Sequence, residues 1–171
     1  MQSFYTLWLK HIAMLDVFVI AVGFVIRAMA GAVVLGVRIS PWLLLCTFLL
    51  ALFLALCKRR QEKVTKSEDE QRATLRRYNV PLLNQLISIS ASATVVSYSL
   101  YTLSPDTIER FGTPLMGLTI PFVIFGIFRY IHLVYVCSEG ERPERTLLTD
   151  AVLMSTVFLF LITVALLHFL G

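Results

Sequence analysis

The sequence predicts an all-helical membrane protein, a bundle of helices that crosses the bilayer several times. Of its 171 residues, 57% are hydrophobic and only 15% are charged, and the mean hydropathy is +0.78. This composition lies outside the range of soluble globular domains. Apolar runs recur along the whole chain, and each approaches the roughly 20 residues that span a hydrocarbon core. A water-soluble domain is therefore excluded, and a polytopic transmembrane bundle is expected.

Five spans follow when glycine, proline and charged residues are taken as the ends of the apolar runs. The spans cover residues 12–36, 41–57, 82–103, 116–136 and 147–169. Pro41, Pro81 and Pro105 mark helix ends because proline lacks a backbone donor. Pro121 lies in the first turns of the fourth span and predicts a kink there. We treat residues 1–171 as a single transmembrane domain.

The basic residues predict how the spans are oriented. Eleven of them fall on one side of the predicted spans: Lys10, eight within residues 58–78, Arg142 and Arg145. Only Arg38 and Arg110 fall on the other side. The positive-inside rule then places the N-terminus and both charged loops in the cytoplasm of a multi-pass protein of the inner or plasma membrane. Residues 1–10 lack the apolar core of a signal peptide, so no cleavage is expected. The net charge of +4 is explained by topology, without nucleic-acid binding.

Three charged residues, Asp16, Arg27 and Arg129, lie inside apolar spans, where an ionisable group costs several kcal/mol unless it is paired or hydrated. Asp16 and Arg27 share one helix face but stand about 16 Å apart along the axis, so they cannot form a salt bridge with each other. Gly23 and Gly31 lie near the same stripe. The pattern predicts a face that combines close helix approach with charges directed into the bundle. The alternative is purely structural, with each charge paired on another helix.

A basic cluster, Lys58, Arg59 and Arg60, follows the second span and is followed by Glu62. Guanidinium groups bind oxyanions bidentately and lysine adds a point charge, so the cluster suits phosphate or diphosphate. Glu62 could hold a divalent cation that bridges the phosphates. The alternative is a positive-inside flank that contacts lipid head groups.

The alternating spans bring Asp16, Arg129 and Tyr130 towards the surface at which this cluster lies. The sequence therefore predicts a net basic cavity that opens to the cytoplasm. The three histidines have no metal-ligand spacing, and the three cysteines contain no CxxC pair. The P-loop, GxGxxG and HExxH motifs are absent.

Several segments together carry a family resemblance. They are YTLWLKHIAMLDVFVIAVGFVIRAMAGA (5–32), ISPWLLLCTFLLALFLALCKRRQE (39–62) and FGIFRYIHLVY (125–135), followed by Glu144 and Asp150. In this order they resemble the C-terminal half of the polyprenyl-phosphate phosphoribosyltransferase branch of the UbiA prenyltransferase superfamily. The resemblance implies an all-helical fold of nine transmembrane helices, of which this chain would supply five. It also implies a cytoplasmic active site, two polar motifs in interhelical loops and Mg2+ as cofactor.

The implied reaction moves phosphoribose from phosphoribosyl diphosphate to a polyprenyl (decaprenyl) phosphate, a step of cell wall biosynthesis. The resemblance places residues 58–62 at the second polar motif of the family, and it gives Asp16 and Glu62 the catalytic role of orienting metal or ribose hydroxyls. The residues expected to bind the substrate phosphates are Lys10, Arg27, Lys58, Arg59, Arg60, Arg129 and Tyr130. Glu62 is also the expected metal ligand.

Two departures from the family pattern limit this expectation. Cys57 stands where a small residue such as glycine is expected, and the first Asp-rich motif of the family, NDxxDxxxD, is absent from the sequence. We therefore expect a C-terminal part of a UbiA-type enzyme that needs an N-terminal helical half and is inactive alone. One alternative is a prenyltransferase with an aromatic acceptor, against which the KRR cluster argues. The other is a non-catalytic membrane subunit that binds lipid or acts as a scaffold.

Overall fold

The computed structural model describes residues 14–36, 40–65, 78–136 and 149–170. The regular elements in these ranges are helices: α1 (Leu15–Leu35), α2 (Pro41–Thr65), α3 (Val80–Leu103), α4 (Pro105–Phe111), a 3-10 helix (Pro114–Thr119), α5 (Ile120–Tyr135) and α6 (Ala151–Leu170). Five helical segments are long and apolar enough to cross a membrane, with the 3-10 helix and α5 forming one of them. The predicted bundle of five spans is confirmed.

Successive spans run in opposite directions. Side chains at one end of the bundle join the beginnings of α1 and α3 to the end of α2, and the beginning of α6 to α5. We call this the polar end, and it comprises residues 14–16, 57–65, 78–84, 129–136 and 149–153. In the interior, α2 packs between α1 and α3, and α5 packs against α6 and α3. The core nearest the polar end contains Phe53, Leu83 and Ile87, each at most 1% exposed.

Helix α2 continues to Thr65, eight residues beyond the predicted end of the second span. The prediction that residues 58–62 lie in an interhelical loop is therefore wrong. Lysine, arginine, glutamine and glutamate are good helix formers, so the helix continues after the apolar run has ended. As a consequence, Arg59 and Glu62 are three residues apart on one helical face.

The other helix ends follow local chemistry. Gly36 ends α1 with a φ of 65°, and its N–H bonds to carbonyl groups of the last turn, a conformation that glycine adopts without strain. Asn79 caps α3, its Oδ1 accepting from Leu82 N at 2.8 Å. The fourth span is a 3-10 helix followed by α5, and Pro121 lies in the first turn of α5. At that position its missing N–H costs no helical hydrogen bond.

Helix α1 is the least covered of the long helices. It buries only Val17 and Ala21, whereas α3 buries eight residues. The side chain of Arg27 is exposed. Within the described part of the chain no helix covers this charge, because α1 turns its other side towards α2, and its predicted orientation into a bundle stays a prediction.

Candidate functional site

Arg59 is the centre of a polar cluster in the described part of the chain. Its Nε donates to Asp16 Oδ2 at 2.7 Å, and its Nη1 donates to Glu62 Oε2 at 2.6 Å. The Arg59 side chain is 12% exposed. Helical spacing within α2 brings Glu62 to Arg59, and the antiparallel packing of α1 and α2 brings Asp16. One guanidinium is therefore held between two carboxylates.

Tyr78 completes this cluster, and the sequence analysis did not identify it. Its hydroxyl donates to Asp16 Oδ1 at 2.9 Å and accepts from Met14 N at 2.6 Å. The residue is 2% exposed. Burial first, and then the hydrogen bond and charge of Asp16, raise the pKa of the Tyr78 phenol. Tyr78 lies just before α3, outside the apolar run, so no periodicity marks it. We call Asp16, Arg59, Glu62 and Tyr78 the Arg59 cluster.

Arg60 lies on a different side of α2 and joins three helices. Its Nε donates to Asn84 Oδ1 at 2.8 Å in α3, and its Nη1 donates to the Val134 carbonyl at 3.2 Å in α5. The guanidinium carbon lies 3.8 Å from the centroid of the Tyr135 ring, a close cation–π contact. Asn84 and Tyr135 were not singled out in the sequence.

Lys58 is the first cation of the basic cluster, and no acid pairs with it in the described part of the chain. It is half-buried at the polar end. Neither a hydrogen bond nor an ion pair joins it to another residue in the described part of the chain. A lysine in this state is available to an incoming anion.

Arg129 forms a second polar cluster with Asp150. Its Nε donates to Asp150 Oδ1 at 3.1 Å and its Nη2 donates to Oδ2 at 2.6 Å, a bidentate pair. Asp150 Oδ1 also accepts from Leu153 N at 2.7 Å and so caps α6. The hydrogen bonds from Arg129 hold the pKa of Asp150 below its ordinary value. We call this pair the Arg129 cluster.

The predicted site residues are therefore divided among several groups. Asp16, Arg59 and Glu62 come together, as the topology argument expected for Asp16 and the basic cluster. Arg129 pairs with Asp150 instead. Lys10 lies outside the described residues. Arg27 stands about 16 Å from Asp16 along α1.

Tyr130 is 3% exposed, and its ring lies 5.6 Å from that of Phe53 in an edge-to-face arrangement. Two carboxylates bond to Arg59, so in the described part of the basic cluster the positive charge without a carboxylate partner lies on Lys58 and Arg60.

Magnesium was expected at Glu62. Within the described ranges, no group of three or more His, Cys, Asp and Glu residues could hold a metal ion. One oxygen of Asp16 and one of Glu62 accept hydrogen bonds from Arg59. The other oxygen of Asp16 accepts a hydrogen bond from Tyr78. These two carboxylates do not by themselves fit a magnesium site, which requires several oxygen ligands in octahedral geometry.

An apolar cleft of about 400 Å³ lies between α2, α3, α5 and α6. Phe53 and Tyr130 line it on the side of the polar end, and Leu43 and Phe160 line it further along the spans. It follows α2 for about three turns. Apolar volume of this kind suits a hydrocarbon chain.

Comparison with known proteins identifies relatives of this chain. No protein-family model matches it. The chain is 35% identical over 161 residues to decaprenyl-phosphate phosphoribosyltransferase of Mycolicibacterium smegmatis, covering 89% of this chain and 50% of the relative. It is 30% identical over 170 residues to the protein of the same name from Corynebacterium glutamicum, covering 96% and 51%. The chain is similar to decaprenyl-phosphate phosphoribosyltransferases over nearly all of its length.

A decaprenyl-phosphate phosphoribosyltransferase of Mycobacterium tuberculosis gives the same result, with 32% identity over 166 residues and 54% of the relative covered. The chain thus spans about half the length of the decaprenyl-phosphate phosphoribosyltransferases that it matches. The similarity extends over nearly the whole chain and confirms the family resemblance found in the sequence.

Proposed function

We propose that this chain forms the C-terminal half of a UbiA-type membrane transferase, which moves phosphoribose from phosphoribosyl diphosphate to a polyprenyl phosphate such as decaprenyl phosphate. The similarity to proteins named for this reaction, over nearly all of the chain, carries the proposal. The polar end, with cations beside an apolar cleft, supports it. The other half of the enzyme completes the site.

The reaction is a substitution at the anomeric carbon. An oxygen of the lipid phosphate forms a bond to C1 of the ribose, and the bond from C1 to the diphosphate oxygen breaks. The electron pair of the broken bond leaves with the diphosphate. Catalysis therefore depends on holding the two phosphates in line and on placing positive charge where the leaving group develops its negative charge.

Lys58 and Arg60 supply that charge. Lys58 has no acidic partner in the described residues, and Arg60 has an amide, a carbonyl and an aromatic ring around it but no carboxylate. Neither cation is neutralised before a diphosphate binds. Tyr130, at the same end, and Lys10 are assigned to the lipid phosphate, whereas Arg129 is engaged by Asp150 and holds α5 to α6.

Arg59 has a different role, because two nitrogens of its guanidinium already donate hydrogen bonds to carboxylates. Its role is to orient Asp16 and Glu62, which then accept hydrogen bonds from the ribose hydroxyls. The apolar cleft holds the isoprenoid chain of the acceptor, with its end near Phe53 and Tyr130 closest to the polar groups.

Magnesium, when bound with the diphosphate, supplies additional positive charge to the leaving group. Because the described residues do not form a complete site, most of its ligands come from the other half, and Glu62 contributes at most one. The polar end faces the cytoplasm of the plasma membrane, in agreement with the distribution of basic residues.

The test uses membranes that contain the complete protein, with labelled phosphoribosyl diphosphate and decaprenyl phosphate. We expect labelled phosphoribosyl lipid from the complete protein and none from the 171-residue chain alone. Turnover by this chain alone would contradict the assignment as a half. The absence of transfer by the complete protein would contradict the assigned reaction.

Three variants of the complete protein separate the roles of the cations. Lys58→Ala and Arg60→Lys should weaken donor binding by about tenfold, the scale of one charge-assisted hydrogen bond. Arg59→Lys should instead lower kcat, because lysine keeps the charge but cannot hold two carboxylates in one plane. Arg110→Ala, which removes a cation from the opposite end of the bundle, is the matched control and should change neither quantity.

A further inference from the structure

The uncovered face of α1 carries an arginine between two glycines. Gly23, Arg27 and Gly31 follow each other at intervals of four residues and so lie on one face of the helix. Arg27 is exposed in the middle of the span, and its guanidinium carbon lies 5.5 Å from the ring of Phe24 on the same helix. No carboxylate in the described part of the chain pairs with it.

Contact with lipid is unfavourable for this face of α1. A guanidinium directed into hydrocarbon at mid-membrane is unfavourable, and an exposed cation–π contact offsets only part of that cost. A Cβ placed on Gly23 or Gly31 would meet no atom within 4 Å. Small residues in a membrane helix let another backbone approach closely. The charge and the glycines together therefore fit a polar neighbour inside the membrane.

We infer that this face of α1 is the docking surface for a transmembrane helix of the other half of the enzyme, and that this helix carries an aspartate or glutamate at the depth of Arg27. The inference rests on the proposed function for the existence of that half. Two observations carry it further: the chain spans only about half the length of its relatives, and Arg27 is an intramembrane cation without an acid among the described residues.

A second copy of this chain does not fit the face. Copies inserted in the same orientation place their Arg27 side chains at the same depth, where two cations repel each other. The nearest acid on the stripe is Asp16, about 16 Å away along the helix and already bonded to Arg59 and Tyr78. Only a partner with its own carboxylate complements the charge.

The test measures binding of this chain to the half that it lacks. The M. smegmatis relative supplies that half as a separate tagged chain, limited to the region outside the match, and recovery of the present chain with it is measured in mild detergent. We expect recovery with the unchanged chain. Arg27→Leu and Gly31→Leu should each lower the affinity by about tenfold, as expected for an interhelical polar contact of 1–2 kcal/mol.

Val33→Gln is the matched control, because Val33 is 77% exposed on the same helix but lies off the stripe. It should leave recovery unchanged. Since recovery does not depend on phosphoribose transfer, the docking surface and the proposed reaction can fail separately.

Three results would overturn the inference. The unchanged chain could fail to bind the other half, or Arg27→Leu could bind it as well as the unchanged chain does. A Gly31→Cys variant of the chain alone could form disulfide-linked dimers, which would make a second copy the occupant. If Arg27→Leu assembles normally but binds the donor more weakly in the complete enzyme, Arg27 binds phosphate and does not contact the partner helix.

Discussion

Two charged clusters lie at the polar end of the bundle, and they are built differently. In the Arg59 cluster one guanidinium forms ion pairs with two carboxylates and joins α1 to α2. In the Arg129 cluster the guanidinium forms an ion pair with Asp150 and joins α5 to α6. Among the described ion pairs, the first cluster has two carboxylates and the second has one. Removal of the arginine therefore leaves two uncompensated carboxylates in the first case and one in the second.

The difference separates two uses of positive charge in the same region. Arg59 and Arg129 are engaged by carboxylates and hold helices together, whereas no carboxylate of the described residues neutralises Lys58 or Arg60. Adjacent residues of one basic motif thus have different tasks. Position on the helical face, and not the presence of a charge, decides which arginine is structural.

The largest expected effect concerns the side of the membrane on which both clusters lie, which we expect to be the cytoplasmic side. In a chain whose native cysteines are replaced, Val64→Cys at the polar end should react with an impermeant reagent only after the membrane is opened. Glu109→Cys, on α4 at the opposite end, is the control and should react in intact cells. The reverse pattern would place both clusters on the outside.

Arg59→Leu should destabilise the protein more than any other single change in the two clusters. It leaves the buried carboxylate of Glu62 and the half-buried carboxylate of Asp16 without their arginine, a loss on the scale of about 3–5 kcal/mol. Arg129→Leu should cost less, because it leaves one carboxylate without its arginine, and Leu153 N still donates to that carboxylate. The free energy of unfolding in mixed micelles measures both, and Lys58→Leu is the control with little expected change. Equal costs for the two arginine variants would remove the distinction between the clusters.

The Arg129 cluster should respond to acid in a defined direction. The pKa of Asp150 is lowered from 3.8 in the folded protein, so its stabilising contribution is complete above about pH 5 and disappears as the pH falls through the folded value. The difference in unfolding free energy between the unchanged chain and Asp150→Asn should therefore shrink below pH 4. At neutral pH, Asp150→Ala should cost about 1 kcal/mol more than Asp150→Asn, since asparagine keeps the helix cap.

Tyr78→Phe should have the smallest effect, about 1 kcal/mol at neutral pH for one hydrogen bond. Because the pKa of Tyr78 is raised in the folded state, the hydroxyl stabilises the fold fully below the ordinary phenol value of 10.0 and loses this contribution as the pH rises above it. The difference between the two chains should thus decrease above pH 10. A difference that grows with alkaline pH would contradict the neutral phenol as the donor to Asp16.

The sequence predicted the number of spans because apolar length is a strong signal, and four of the five were placed within about four residues at each end. The end of α2 was misplaced because hydropathy reports where the apolar run stops, whereas helical propensity continues through residues 58–65. A basic motif that begins at a membrane surface can therefore still be helical.

The candidate site was only partly predictable. Alternating spans predicted that Asp16 and the basic cluster meet at one end. The hydrogen-bond partner of each charged residue could not be predicted. Helical periodicity gives the face on which a residue lies, but it does not give the neighbour that a long side chain contacts. Tyr78, which contacts Asp16, lies between the apolar runs, and Asp150, which pairs with Arg129, lies at the beginning of the fifth predicted span. The exposure of Arg27 in the described part of the chain could not be predicted either, because the period of a helix does not say which face a neighbour covers.

The hydrogen bond from Arg60 to the Val134 carbonyl has a consequence for the order in which the protein assembles. The last carbonyl groups of a helix have no acceptor role inside that helix, and here one of those of α5 is satisfied by a side chain from α2. The final turn of α5 is therefore complete only when α2 is already in place. Since synthesis proceeds from the N-terminus, the hairpin of α2 and α3 emerges from the ribosome before α5 and presents a ready template for its end.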